Sequence, residues 1–258
     1  FDVYIGPKTQ ELLSSSVYTD FSSVLLSNLW RWMQLLTMFL MSILSLINAV
    51  IPNWGISIII LAILVRIILS PIATNAMKSQ KEFVDVQKKI DPELKKIKAN
   101  FKGEEQSERM LKLYESYNVS PLAGLKPLLI VLLQLPILIA LFHGLGTFFD
   151  LRSASFLWIQ SLGEPDKLIH LGMNIPIFGE YINLLPFLMT IVTLAALKLS
   201  PTTASDKTSK FRQNIFLIFM ALIFFVLFYP FPSGMVLYWT VANVLHNFQH
   251  RLIYRQIN

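Results

Sequence analysis

The charged residues of this chain leave long stretches empty. No Asp, Glu, Lys or Arg stands between Arg31 and Arg66, between Lys126 and Asp150, between Glu180 and Lys198, or between Arg212 and Arg251. About 20 apolar residues cross a hydrocarbon core, so each gap predicts at least one membrane segment. The last gap, 38 residues, contains Tyr229-Pro230-Phe231-Pro232-Ser233-Gly234. Two prolines and a glycine there predict a tight turn between two spans. The predicted spans are therefore 53–75, 121–145, 182–199, 213–230 and 233–251. Their apolar runs lack the alternation of barrel strands. Helices, whose backbone is satisfied internally in lipid, are the expected form.

Segment 29–51 is apolar enough to span, but its polar residues are not scattered. Arg31, Gln34, Thr37, Ser42, Ser45 and Asn48 fall within about 140° at 100° per residue. Leu, Met, Phe and Ile cover the opposite face, and Trp30 and Trp32 stand at its start. This is the pattern of an amphipathic helix lying in the membrane interface. A sixth span is the alternative. It would place 1–28 inside, although that stretch has one Lys against Asp2, Glu11 and Asp20.

Between the first two spans, 76–120 carries a second period. Phe83, Val86, Ile90, Leu94, Ile97 and Phe101 form one apolar stripe at helical spacing. Asp91-Pro92 reads as a cap followed by a first-turn proline, which predicts a kink or a restart. Phe101-Lys102-Gly103 reads as a turn, and Met110, Leu113, Tyr114 and Tyr117 form the stripe of a returning helix. The expected product is a charged helical hairpin outside the membrane.

Composition agrees with the membrane class. Hydrophobic residues make up 54% of the chain and charged residues 15%, against about 25% charged in soluble domains. The 22 Lys and Arg outnumber 16 Asp and Glu, and their placement sets the direction. The stretch 76–120 holds ten of them, and the connection around Lys198, Lys207, Lys210 and Arg212 holds four. By contrast 146–181 holds only Arg152 and Lys167. Basic loops stay in the cytoplasm. The N-terminus is then outside, the C-terminus inside, and the hairpin cytoplasmic. With no cysteine, disulfides, thiolate metal sites and a Cys nucleophile are excluded. The chain starts at Phe1 without a charged n-region or cleavage site, so a processed or partial chain is expected.

Arg66 is the sharpest chemical signal. It interrupts the run Ile58 to Leu69, about 13 residues and so about 20 Å from the outer end of its span. A central Arg costs about 2.5–3.5 kcal/mol on insertion scales and cannot shed its proton. Snorkelling to the surface is one explanation. The functional one is a wet cavity open to the cytoplasm and closed outside. The last span also has a polar face, made of Trp239, Asn243, His246, Asn247 and His250. His246 and His250 have a spacing that can bind metal, but no third ligand is evident, and a helix-end interface role is preferred to a metal site. Gln134 is the only amide of the second span and suits interhelical hydrogen bonding. The Phe-rich run Phe216 to Phe228 suits lipid contact or varied apolar partners. No nucleotide, hydrolase or metalloprotease motif is present, so no enzyme activity and no cofactor is expected.

Several short motifs stand in one order along the chain. They are Asn53-Trp54-Gly55-Ile56-Ser57 leading to Arg66 and Pro71, Asn118-Val119-Ser120-Pro121-Leu122-Ala123-Gly124, and Leu151-Arg152-Ser153-Ala154-Ser155-Phe156-Leu157-Trp158-Ile159. Leu199-Ser200-Pro201-Thr202-Thr203 and Phe231-Pro232-Ser233-Gly234-Met235-Val236-Leu237-Tyr238-Trp239 follow. Together they closely resemble the bacterial YidC-type membrane protein insertases, from about 29 to 255.

The resemblance implies an all-α integral membrane fold of five transmembrane helices. It places an interfacial helix at 29–51, the first core helix at 52–75, a cytoplasmic hairpin at 76–120 and the other four helices within 121–258. Residues 1–28 look like the remnant of an extracytoplasmic domain and a linker. It also implies a substrate groove with Arg66 as its arginine, and with Gln134, Tyr238, Trp239 and Asn243 on its walls. Implied partners are nascent membrane proteins and the bilayer, with the Sec translocon, ribosome and signal recognition particle pathway as associates. No nucleic-acid site is implied, and the expected location is the bacterial inner membrane. Two departures stand out. Leu197 replaces a Gln of some members, so the groove wall there is expected to be drier. The tail ends at Asn258 without a long basic extension, so strong autonomous ribosome binding is not expected. A small-solute transporter or channel with Arg66 as an anion site is the alternative function. It usually brings inverted internal repeats, which are not evident.

Overall fold

The computed structural model of the chain describes residues 29–117, 126–176, 178–199 and 207–257. The segment 1–28 expected as a domain remnant, the motif at 118–124 and the Ser-Pro-Thr-Thr motif at 200–203 lie outside these residues. Among the described residues there are seven α-helices: α1 Arg31–Val50, α2 Trp54–Asn100, α3 Gly103–Ser116, α4 Lys126–Thr147, α5 Leu184–Leu199, α6 Lys207–Phe228 and α7 Ser233–Ile257. A short 3-10 helix, Phe149–Arg152, and two strands, β1 Ile169–Ile175 and β2 Gly179–Ile182, fill the connection from α4 to α5. The strands pair antiparallel, with Ile169 opposite Ile182 and His170 opposite Tyr181. An all-helical fold was expected, and this hairpin is the exception. It forms where the chain must return over the helix ends.

The 47-residue α2 starts where Asn53 Oδ1 accepts the Ile56 N–H at 3.0 Å. At 1.5 Å per residue it runs about 70 Å, more than twice a hydrocarbon core. The expected restart at Asp91-Pro92 does not occur, since one helix passes through both Pro71 and Pro92. A proline removes one backbone bond from a helix. Here Asp91 pairs with Lys95 at 2.9 Å, and the buried Ile90 and Leu94 keep the apolar stripe continuous. The segments expected as the first span and the first arm of the hairpin are therefore one continuous helix. At its end Gly103, with φ +65, turns the chain. Gln106 Nε2 donates to the Phe101 carbonyl at 3.0 Å, and the Arg109 guanidinium lies 3.8 Å over the Phe101 ring. Then α3 packs back along α2.

Within the bundle, α7 packs between α2 and α5 and also meets α4. Helix α1 packs on α4 and α2 through Met33, Thr37, Leu40, Met41 and Leu44. Its exposed arc is also apolar, with Trp32, Leu35, Phe39, Leu46 and Val50. Helix α6 meets α5 and leaves Phe216, Phe219, Leu222 and Leu227 exposed. By length and composition, α1 and α2 each contain a window able to cross a membrane, and α4, α5 and α6 contain shorter apolar stretches.

The densest core lies at one end. Ile58, Leu61, Leu141, Leu145, Met189 and Val236 come from four helices near the α4–α5 connection, and Leu151, Ile159 and Leu162 of that connection are buried among them. This end is called the cap end. The opposite end, which carries α3, is the hairpin end.

Candidate functional site

The cap is held by a polar network built on one carboxylate. Asp166 is buried, and its Oδ2 accepts three hydrogen bonds: from Trp158 Nε1 at 3.0 Å, the Leu184 N–H at 2.7 Å and the Leu185 N–H at 3.0 Å. The two backbone donors open α5, where an N-terminus favours negative charge. Beside it, Asn183 Nδ2 donates to the Tyr229 carbonyl at 3.0 Å. The Tyr229 hydroxyl accepts from the Asn183 N–H at 3.0 Å and donates to the Tyr181 carbonyl at 2.9 Å. The start of α7 is tied to the same connection. Ser233 N–H donates to the Glu164 carbonyl at 2.7 Å and Gly234 N–H to the Leu162 carbonyl at 2.9 Å. On the surface, the ammonium of Lys167, bonded to Glu164 at 2.6 Å, holds that carboxyl below its ordinary range.

Gly55 explains how closely the cap seats. The Phe156 ring lies where a β-carbon of residue 55 would stand. Phe156 is fixed by a two-bond bridge with Ile159, at 2.9 and 2.8 Å.

Below the cap, Arg66 is half-buried on α2 and faces α7. Its Nη2 lies 2.6 Å from His246 Nδ1, while Nε is buried without a hydrogen-bond partner. Among the described residues no carboxylate pairs with it. Tyr238 is buried on α7, the helix that Arg66 faces. One to two turns further, Gln249 Nε2 donates to Ser70 Oγ and Thr74 Oγ1, each at 3.0 Å. Its Oε1 is buried and unpaired, as is Asn247 Oδ1.

The polar face expected on α7 is thus divided among three neighbours. His246 and Gln249 point to α2. Asn243 Nδ2 donates to Thr193 Oγ1 at 3.3 Å, and Asn247 Nδ2 to the Val192 carbonyl at 3.0 Å, both on α5. Trp239 stacks on Phe228 of α6, with ring centroids 5.5 Å apart. His246 and His250 lie with ring centroids 6.2 Å apart, and no group of three metal-binding side chains occurs among the described residues. Gln134 is half-buried on α4 and makes no hydrogen bond among the described residues.

This architecture can be set beside known proteins. The model of the 60Kd inner membrane protein family matches residues 46–258. The chain belongs to that family. It is 31% identical to the membrane protein insertase YidC of Treponema denticola over 98% of this chain and 44% of the relative. It is 34% identical to that of Haemophilus influenzae over 98% and 44%, and 33% identical to that of Syntrophobacter fumaroxidans over 94% and 41%. The chain therefore spans less than half the length of these relatives. A crystal structure titled as an active YidC insertase with its first transmembrane domain resolved shares the fold. Its TM-score is 0.59 at 23% identity, over 95% of this chain and 53% of that one.

Of the five expected groove residues, Arg66 is on α2, and Tyr238, buried on α7, is on the helix that Arg66 meets through His246. Asn243 and Trp239 lie on the same helix but face α5 and α6. Gln134 joins neither group. The residues that the sequence reading passed over are Gln249, Ser70, Thr74 and Asp166, and it did not pair His246 with Arg66. Depth supplied a signal for that pair. Arg66 stands twelve residues beyond Trp54 and His246 thirteen beyond Ser233. Both helices start at the cap end, so the two lie at about the same 18–20 Å depth.

Proposed function

We propose that the chain is the working core of a membrane protein insertase of the bacterial inner membrane, with the cap outside and the hairpin in the cytoplasm. The observation that carries this reading is Arg66, a permanent cation about 20 Å below a cap whose polar groups are almost all paired. It has the His246 imidazole for a partner and no carboxylate among the described residues. A guanidinium kept only for structure gains most from a bidentate carboxylate. One left with an imidazole is available to a carboxylate that arrives from elsewhere.

On this reading the hydrophilic flank of a nascent chain enters from the hairpin end, and Arg66 attracts its acidic groups. The apolar segment of the client meanwhile partitions along α4 and α6 into lipid. The exposed Phe216, Phe219 and Leu222 of α6 suit that surface. Burial of the segment supplies the driving force at about 25 cal/mol per Å². The membrane potential adds about 2.3 kcal/mol per acidic charge per 100 mV. The apolar part of α6, Asn214–Phe228, spans about 22 Å against about 30 Å of hydrocarbon, which favours local thinning. In this account α1 lies in the interface, α2, α4, α5, α6 and α7 span, and no bond is made or broken. The chain acts alone or beside the Sec translocon, and the hairpin receives clients from the ribosome.

Reconstitution into liposomes tests the reading. A short single-span protein with an acidic translocated tail is expected to become protease-protected in vesicles that hold the chain. Arg66→Ala is expected to lower this about tenfold while a neutral-tailed client is spared. Equal insertion by Arg66→Ala, or solute flux without protection, contradicts it.

A further inference from the structure

A guanidinium carries only donors. The 2.6 Å contact from Arg66 Nη2 to His246 Nδ1 is therefore a hydrogen bond only when Nδ1 is unprotonated. A hydrogen bond there requires His246 to be the neutral tautomer with its hydrogen on Nε2. This ring joins the two helices whose seam also holds the unpaired Arg66 Nε and Gln249 Oε1. Arg66 is thus tethered by one nitrogen, and the rest of its fork has no hydrogen-bond partner among the described residues.

We propose that His246 is a positioning residue for Arg66. Its Nδ1 latches the guanidinium against α7 in the resting protein and releases it to an incoming carboxylate. This inference rests on the insertase reading, in which Arg66 meets acidic flanks of a client. An amide carbonyl offers Arg66 a neutral acceptor no better than the imidazole and leaves the latch closed. A carboxylate offers two oxygens and a full charge, and displaces it. The latch therefore raises the concentration that every ligand needs by the same factor and leaves the ratio of their affinities unchanged, so that at a given client concentration an acidic flank still opens it and a neutral one does not.

The test uses the purified full chain in detergent and phenylglyoxal, an arginine reagent, at one fixed pH. Modification is mapped by mass spectrometry, with the exposed Arg251 as internal reference. Arg66 is expected to react more slowly than Arg251. His246→Ala is expected to raise the Arg66-to-Arg251 ratio about tenfold, equivalent to about 1.4 kcal/mol. His246→Asn, whose Oδ1 stands where Nδ1 does, is expected to restore slow modification. An acidic single-span peptide is expected to protect Arg66, reaching half-protection at about tenfold lower concentration in His246→Ala than in the wild type. Nitrogen-15 spectra of labelled histidine give a second readout. The signals lost in His246→Asn are expected to show a bare Nδ1 and a protonated Nε2.

An unchanged ratio in His246→Ala, no rescue by Asn, equal protection in both proteins, or a protonated Nδ1 overturns the latch. If His246→Ala does not fold, the spectra and the wild-type comparison with Arg251 decide. The reactivity ratio and the spectra need no client, so the latch and the insertase reading fail separately.

Discussion

At the cap, Asp166 Oδ2 collects three N–H donors, and Tyr229 uses its hydroxyl both to donate and to accept. Along the seam between α2 and α7, Arg66 Nε and Gln249 Oε1 are buried without partners on either side of the Arg66–His246 contact; among the described residues the other such atoms are Asn247 Oδ1 beside α5, and Asn48 Oδ1 and the Ser161 hydroxyl towards the cap end, none of them part of the Asp166 and Tyr229 network. The two regions share the same helices and lie about 20 Å apart. Fully paired polar networks rigidify a structure, while unpaired buried atoms mark places where water or another polar group belongs. On the insertase reading the cap is a fixed lid, and the seam is where a polar flank is received.

The comparison breaks first at Asp166. Asp166→Ala strands the Trp158, Leu184 and Leu185 donors, so a loss of about 3–5 kcal/mol in unfolding stability in detergent is expected. Asp166→Asn keeps an oxygen in place and is expected to lose less than half of that. If Asp166→Ala unfolds like the wild type, the cap is not held by this carboxylate. Gly55→Ala comes next. The new methyl meets the Phe156 ring, and about 1–3 kcal/mol of overpacking strain is expected in the same assay. The smallest effect is expected at the seam. Gln249→Leu removes bonds to Ser70 and Thr74, yet both hydroxyls can turn to their own helix backbone. It also removes the orphan Oε1, so the change is expected within about 1 kcal/mol. A loss as large as that of Asp166→Ala would erase the contrast.

How far these features were legible follows from the range of the forces behind them. Charge-free runs located α2, α4, α5, α6 and α7, because lipid-sized apolar segments are a local property of sequence. The stripe from Phe83 to Phe101 likewise marked the first arm of the hairpin. Of the kink or restart read at Pro92 the restart does not occur, since a proline argues locally for a break while the buried Ile90 and Leu94 on either side lie on one continuous helix. Arg66 stood out because a charge inside an apolar run is costly wherever it occurs. Its partner His246 was 180 positions away, and only a comparison of helix depths joins them. Asp166 gave no local sign of its role, for it reads as one more acidic loop residue until α5 is brought over it. The α7 face was read as one side of a helix. Three neighbouring helices, α2, α5 and α6, divide it.

The absence of cysteine in the sequence makes the central claim directly measurable. Arg66→Cys provides one thiol at the depth of the guanidinium, to be tested with a membrane-impermeant maleimide in vesicles of each orientation. The account predicts labelling from the cytoplasmic face and none from the outer face. Labelling from outside, or from neither face, would contradict a cation held under a closed lid and open to the cell interior.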